Sequence, residues 1–423
     1  MDVCNQLRAG DLDALLEKLY GEAQLTEKKE RLLKAVDSFR AIYGEGDGLR
    51  FFSAPGRTEI GGNHTDHNHG RVLAGSVNLD VVAVVSFNDS GIVRIKSEGY
   101  EMDTVDINDL APREEEKNKA ISLIRGTLAR FRELGYAIGG FDAYTTSDVL
   151  KGSGLSSSAA FEVLIGRILS NGYNDEAVDA IEIAQIAQYA ENRYFGKPCG
   201  LMDQMASSVG NIITIDFADP AKPIIEQVDF DFASSEYALC IVDTGGNHAD
   251  LTHEYAAIPS EMREIANDMG CNYLRETSFE AVLEQMASLR KKYSDRAILR
   301  AIHFLKDNER VVHQVAALRE NNFARFRELI IESGRSSFCY LQNVYASSNV
   351  EEQGLSLALC LAEDILAGEG GAWRVHGGGF GGTTQNFVPL HLLERFQTRM
   401  ESVFGTGSCH VLNIRPYGGI EIK

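Results

Sequence analysis

Arg57-Thr58-Glu59-Ile60-Gly61-Gly62-Asn63-His64-Thr65-Asp66-His67-Asn68-His69-Gly70 follows directly on Ala54-Pro55-Gly56. A globular core has no use for three histidines and an aspartate crowded between Asn63 and His69, so the stretch reads as a site. Two chemistries fit it. His64, Asp66, His67 and His69 are the residue types that ligate zinc, copper or iron, although no distant His or Cys cluster completes a shell. The other is recognition of a hydroxyl-rich small molecule, because Asn, His and Asp offer closely spaced donors and acceptors. A solvated turn is the plain alternative.

A second stretch, Lys151-Gly152-Ser153-Gly154-Leu155-Ser156-Ser157-Ser158-Ala159-Ala160, precedes an apolar run from Phe161 to Leu169. Small side chains let a polyanion approach the backbone, and the run supplies a helix whose first amides point at it. It is not a Walker loop, since Gly196-Lys197 is followed by Pro198. A serine-rich helix cap is the structural alternative. The third stretch, Val375-His376-Gly377-Gly378-Gly379-Phe380-Gly381-Gly382-Thr383-Thr384, holds too much glycine for a helix or a packed strand interior. It reads as a close-approach loop or as a bare turn.

In order and spacing the three stretches resemble the motifs of the superfamily of galactokinase, homoserine kinase, mevalonate kinase and phosphomevalonate kinase. The first resembles the galactokinase signature, Pro-Gly-Arg-Val-Asn-Leu-Ile-Gly-Glu-His-Thr-Asp-Tyr-Asn, from Pro55 to Asn68. The likeness continues through Ala190-Glu191 and Pro198-Cys199-Gly200-Leu201-Met202-Asp203-Gln204 to Glu254-Tyr255. It implies an α+β fold of two domains: a ribosomal-protein-S5-domain-2-like N-terminal half, a ferredoxin-like C-terminal half, and an active-site cleft at their junction.

Composition agrees with a soluble enzyme. A chain of 423 residues is long for one core, so two domains are expected. The net charge of -20 argues against nucleic acid or an anionic membrane as partner. An anionic nucleotide must then be held by local amides and a cation. The seven cysteines, scattered and odd in number, suit a reducing compartment rather than a disulfide framework. With no leader-like segment in residues 1–48, a cytoplasmic protein is expected, as a monomer or weak homodimer.

Leu12, Leu15, Leu16 and Leu19, then Leu32, Leu33, Val36, Phe39 and Tyr43, recur at helical spacing. Residues 1–48 thus read as a helical extension, packing material or an oligomer contact. Strands are expected at Leu49–Ala54, Val72–Phe87 and Val93–Lys96, with the first motif on the loop between the first two. Helices are expected at Asn118–Leu134, Ser157–Leu169 and Asp175–Asn192. Further strands are expected at Asn211–Phe217, Tyr237–Asp243, Thr383–Leu390 and Gly419–Lys423. The resemblance puts the domain boundary near Ala218, giving domains of 49–218 and 219–423.

Glu191 ends its expected helix, where the dipole disfavours a carboxylate, so it needs solvent or a cation. Asp203 lies among apolar neighbours and needs a partner, for which Arg57 is the natural choice.

The resemblance implies an ATP-dependent kinase acting on the anomeric hydroxyl of galactose, with Mg2+ as cofactor. Asp203 takes the proton of the sugar hydroxyl and Arg57 stabilises the oxyanion. Asn63, His64, Asp66, Gly200, Asp203 and Tyr255 contact the sugar. Gly152, Ser153, Gly154, Leu155, Ser156, Ser157, Ser158 and Ala159 cradle the triphosphate, and Ser158 and Glu191 hold the metal. The chain departs from the signature at Asn63, where Glu is usual, and at His67, where Tyr is usual. Asn63 would tolerate a C6 carboxylate, so a galacturonate or other hexose 1-kinase stands as an alternative. Asn63→Glu is expected to be tolerated if galactose is the substrate. A non-catalytic sugar sensor is the alternative of another class.

Overall fold

The apolar run of the longest strand serves two cores at once. In β2 (Arg71–Asn88), Val81, Ala83 and Val85 join one buried cluster, while Val82 and Val84 join another on the opposite face. A strand covered on both faces carries a continuous hydrophobic run rather than an alternating one. The computed structural model describes residues 3–46, 48–149, 154–197, 199–246 and 251–423.

The second face is covered by the N-terminal extension, which forms α1 (Val3–Ala9), α2 (Asp13–Tyr20) and α3 (Leu25–Tyr43). Leu16, Leu19, Leu32, Val36 and Phe39 pack there against Phe51, Val82, Val84 and Tyr144. The leucines read as an amphipathic stripe therefore face the protein's own sheet.

The other strands of this sheet are β1 (Arg50–Gly61), β3 (Ile92–Ser97), β4 (Met102–Asp106), β5 (Gly140–Ser147), β6 (Ile212–Asp216), β7 (Ile224–Val228) and β12 (Ile420–Ile422). They run in the order β12-β1-β2-β5-β3-β4, with β6 and then β7 extending from the first half of β2. Helices α4 (Ala120–Glu133), α5 (Ser157–Tyr173), α6 (Ala180–Ala190) and α7 (Met202–Val209) belong to the same half.

The second half contains a four-stranded antiparallel sheet, β11-β8-β10-β9, from β8 (Tyr237–Asp243), β9 (Ala372–Val375), β10 (Thr383–Pro389) and β11 (Cys409–Leu412). Its helices are α8 (Thr252–Asp268), α9 (Phe279–Lys292), α10 (Asp295–Arg319), α11 (Phe323–Ser336), α12 (Gly354–Leu366) and α13 (Leu393–Phe404). Ala238, Cys240 and Val242 of β8 face Ile365, Phe396 and Met400. Leu239 and Ile241 turn the other way into the main core with Phe326 and Ile330.

Two expectations change. The first motif is not all loop, because β1 continues to Gly61. Register shifts between Pro55 and Arg57 and between Glu59 and Gly61 absorb the proline and glycines that suggested a turn. The chain also crosses the expected boundary. Strands β7 and β12, both beyond Ala218, belong to the N-terminal sheet, with Ile422 paired to Phe51.

Candidate active site

The bulge in β1 is what brings the first motif to the second. A Cβ at Gly56 would lie 2.8 Å from the carbonyl oxygen of Leu155, so only glycine lets β1 come this close. Arg57 N then donates to Leu155 O at 3.0 Å, and the Arg57 guanidinium donates to the carbonyl of Gly154. The same guanidinium reaches Asp203 on α7, with Nε and Nη2 each 2.7 Å from Oδ1. Ser156 Oγ donates to the other oxygen, Oδ2. Burial pushes the Asp203 carboxyl up, but Arg57 and the Ser156 hydroxyl outweigh it and hold the group below the usual carboxylate range. Asp203 is therefore ionised at neutral pH.

A cavity of about 380 Å³ opens at Asp203, lined by residues of all three motifs. His64, Asp66, Gly200, Asp203 and Tyr255, all expected on the sugar, line it together with Gly154. His64 Nε2 lies 2.9 Å from the carbonyl oxygen of Gly378, so that nitrogen carries the proton and Nδ1 is left as an acceptor. Burial lowers the His64 pKa to about 4, which keeps the ring neutral. Tyr255 donates its hydroxyl to Gly379 O at 2.8 Å. A Cβ at Gly200 would meet Asp66 Oδ2 at 2.6 Å, so glycine there leaves the carboxylate its place on the cavity wall.

Asn63 does not line this cavity. Its side chain is fully buried, donating to Glu59 Oε1 at 3.0 Å and to Gly377 O at 2.6 Å, and accepting from Asn343 Nδ2 at 2.8 Å and Ser337 Oγ at 3.2 Å. The backbone is held too, with Asn63 N on Asp307 and Asn63 O on His303. The Asn63 amide is spent in this buried network beneath the pocket, so the structure moves it from sugar contact to support.

Glu191 opens a π-turn, Glu191–Phe195, that continues α6. The compensation its position demanded comes from three sides. Ser158 Oγ is 3.3 Å from Oε1, Lys197 Nζ is 3.3 Å from the same oxygen, and Gln204 Nε2 is 2.7 Å from Oε2. Ser157, Ser158 and Ala159 form the first turn of α5, capped by Ser156 in a left-handed conformation. Gly152 and Ser153 lie outside the described residues, as do Lys151 and Pro198.

Several lining residues escaped the sequence reading. His376 spans Thr383 Oγ1 at 2.9 Å and Thr58 Oγ1 at 3.1 Å on the cavity wall, and Lys197, Cys199 and Thr383 stand beside it. His376 opened the glycine-rich stretch and could have been found there. Buried Glu162, one turn after Ser158, shares the Gln204 amide with Glu191 at 3.2 Å, a contact no linear motif announces.

Cavity, helix start, oxygen donors and a buried Arg–Asp pair together suit phosphoryl transfer to a small molecule. The comparisons narrow this. Residues 37–87 match the galactokinase galactose-binding signature, and residues 122–211 match the GHMP kinases N-terminal domain. The galactokinase of Streptomyces coelicolor is 32% identical over 374 residues, which cover 87% of this chain and 92% of that protein. The galactokinase of Clostridium tetani is 30% identical, covering 86% and 90%. Among solved structures, that of Lactococcus lactis galactokinase complexed with galactose superimposes with a TM-score of 0.77 at 24% identity, covering 92% of this chain and 99% of that one. A mevalonate kinase superimposes with a TM-score of 0.58. The chain belongs to the galactokinase family, and its fold is the two-domain α+β fold of these kinases.

Proposed function

We infer that this enzyme transfers the γ-phosphoryl group of ATP to the anomeric hydroxyl of galactose, giving galactose 1-phosphate and ADP. The single observation that carries this reading is the Arg57–Asp203 pair, whose aspartate lines a cavity together with Gly154, just ahead of α5, and the sugar-motif side chains His64, Asp66 and Tyr255.

His64 Nδ1, the Asp66 carboxylate and the Tyr255 hydroxyl present acceptors, and Gly200 leaves room for a ring oxygen to approach. The anomeric hydroxyl donates to Asp203, which takes its proton as the bond to phosphorus forms. Arg57 fixes the Asp203 carboxylate and offsets negative charge arising on the attacking oxygen. Residues 152–159 cradle the phosphates, with the amides of the first turn of α5 turned toward them. Ser158 and Glu191 present a hydroxyl and a carboxylate oxygen 3.3 Å apart, hard donors of the kind Mg2+ takes alongside phosphate and water. A bound Mg2+ would neutralise phosphate charge during transfer. Lys197, 3.3 Å from the same Glu191 oxygen, would then share that carboxylate with a bound metal.

With Asn63 turned into the protein and the Asp66 and Asp203 carboxylates on the cavity wall, a uronic acid is disfavoured, and the serine-rich stretch and Asp203 favour an enzyme over a sensor. The test is the product. With galactose and MgATP, the anomeric proton of the product should couple to phosphorus in a phosphorus–proton NMR correlation. Phosphate found on any other sugar oxygen would overturn the assignment.

A further inference from the structure

The N-terminal helices do more than cover a sheet face, because two of their basic side chains reach through to the strand that leads into the cradle. Arg31 of α3 bridges two carboxylates: Nη1 is 2.7 Å from Asp80 Oδ1 and 2.9 Å from Asp148 Oδ2. Its Nη2 donates to the backbone carbonyls of Asp80 and Thr146, each at 3.0 Å. Lys28, one turn earlier and buried, binds Asp148 Oδ2. Asp148 is tied back to β2 as well, since its Oδ1 accepts from Asp80 N at 2.6 Å and its own N donates to Asp80 O at 3.1 Å. From the far side, Arg415 Nη1 reaches Asp80 Oδ2 at 3.0 Å and Tyr20 donates its hydroxyl to the same oxygen at 2.5 Å.

Two carboxylates this close repel each other unless cations intervene. Burial and the neighbouring Asp80 both push the Asp148 carboxyl up, and Arg31 and Lys28 oppose them. The position of Asp148 matters because it directly follows β5, the strand that leads toward the residues read as the phosphate loop. Its neighbour Val149 packs on Gly56, where a Cβ would stand 3.0 Å from Val149 Cγ1. The loop's other end, Gly154-Leu155, is held by Arg57. One end of the loop is thus fixed by the catalytic arginine and the other by the N-terminal helices.

We propose that Lys28 and Arg31 are positioning residues for the nucleotide: by clamping Asp148 against Asp80 they set the entrance of the phosphate loop and tune affinity for ATP. The proposal rests on reading residues 152–159 as the phosphate cradle. A one-ångström displacement at a positioning element is enough to cost about a hundredfold in rate, and a partial loosening at the loop's entrance should cost about tenfold in nucleotide affinity.

The full-length chain tests this through Arg31→Met, Lys28→Met and Arg31→Lys, with MgADP affinity by calorimetry and separate KM values for ATP and galactose. Arg31→Met should weaken MgADP binding and raise the ATP KM about tenfold, with the galactose KM within about twofold. Arg31→Lys, which keeps the charge but loses the fork, should fall between. Lys28→Met, which loses one ion pair to Asp148 and the contact over the Tyr20 ring, carries the test if Arg31→Met fails to fold. Unchanged MgADP affinity in a folded Arg31→Met or Lys28→Met protein would overturn the proposal, as would parallel loss of ADP and galactose affinity. Gly154→Val separates the underlying reading: if it leaves MgADP affinity intact, the cradle assignment falls and the proposal with it.

Discussion

Arg57 grips Asp203 by a single carboxylate oxygen: Nε and Nη2 both lie 2.7 Å from Oδ1, leaving Oδ2 to Ser156 and the cavity. The pair therefore orients the carboxylate without closing it off. Because Arg57 and Ser156 hold the Asp203 pKa low, the group is a weak base in the ground state. Its proton uptake belongs late in a transfer whose transition state is largely dissociative.

Asp203→Asn keeps the shape and removes both the charge and the proton acceptor. Turnover should fall about 10²- to 10⁴-fold, the usual worth of a positioned base, while the protein stays folded and binds MgADP, with a lowered melting temperature because Arg57 loses its charged partner. Steady-state kinetics beside a melting curve checks it. Near-normal turnover in a folded variant would remove Asp203 from the chemistry.

Ser158→Ala and Glu191→Gln should each raise the Mg2+ concentration giving half-maximal rate, with galactose KM little changed. The reason is the hydroxyl–carboxylate pair at 3.3 Å, with Lys197 already attracted to the same oxygen. A Mg2+ titration at fixed ATP decides it, and identical midpoints in all three proteins would return both residues to structural roles.

Asn63→Glu should be poorly tolerated, against the expectation from the signature alone. The amide NH2 donates to Glu59 Oε1 and Gly377 O, so a carboxylate there would face two acceptors inside a buried network. Burial already pushes Glu59 up to about 7, against the pull of Arg374 and Arg57. Loss of stability should be about 2–5 kcal/mol, read by chemical denaturation. An unchanged midpoint would show that position 63 can turn toward the cavity.

His64 gives a prediction in pH. Its pKa of about 4 keeps it neutral through the usual histidine range, so galactose affinity should show no His64-linked inflection between about pH 6 and 7. Linkage sets the sign for stability: between about 6.5 and 4 the unfolded chain binds the proton first. The stability His64 contributes is therefore complete above that window and is lost as pH falls through it. Galactose KM against pH, in wild type and His64→Gln, checks the first part. An inflection near 6.5 that disappears in the variant would contradict the neutral ring.

The two-domain α+β class was legible in the sequence, and several of the expected site residues do come together in the structure. Asp203, His64, Asp66, Gly200 and Tyr255 come together around one cavity, with Arg57 bound to Asp203 behind it, because motif residues are chosen by chemistry that survives without knowledge of packing. Asn63 was misplaced because identity within a motif does not say which way a side chain turns, and its partners Asn343 and Ser337 are far away in sequence. The extent of β1 was underread because bulges let proline and glycine remain in a strand. β12 was assigned to the wrong half because three residues at the end of a chain carry no signal for a partner as distant as Phe51.

The most direct test of the central claim is kcat/KM for ADP release across a panel of galactose, glucose, galacturonate and N-acetylgalactosamine, with MgATP saturating. Galactose should exceed every other sugar, with galacturonate lower by about a hundredfold or more, because its C6 carboxylate would enter a pocket that already holds the Asp66 and Asp203 carboxylates. Galacturonate turning over as well as galactose, or no galactose-dependent ADP release at all, would contradict the account.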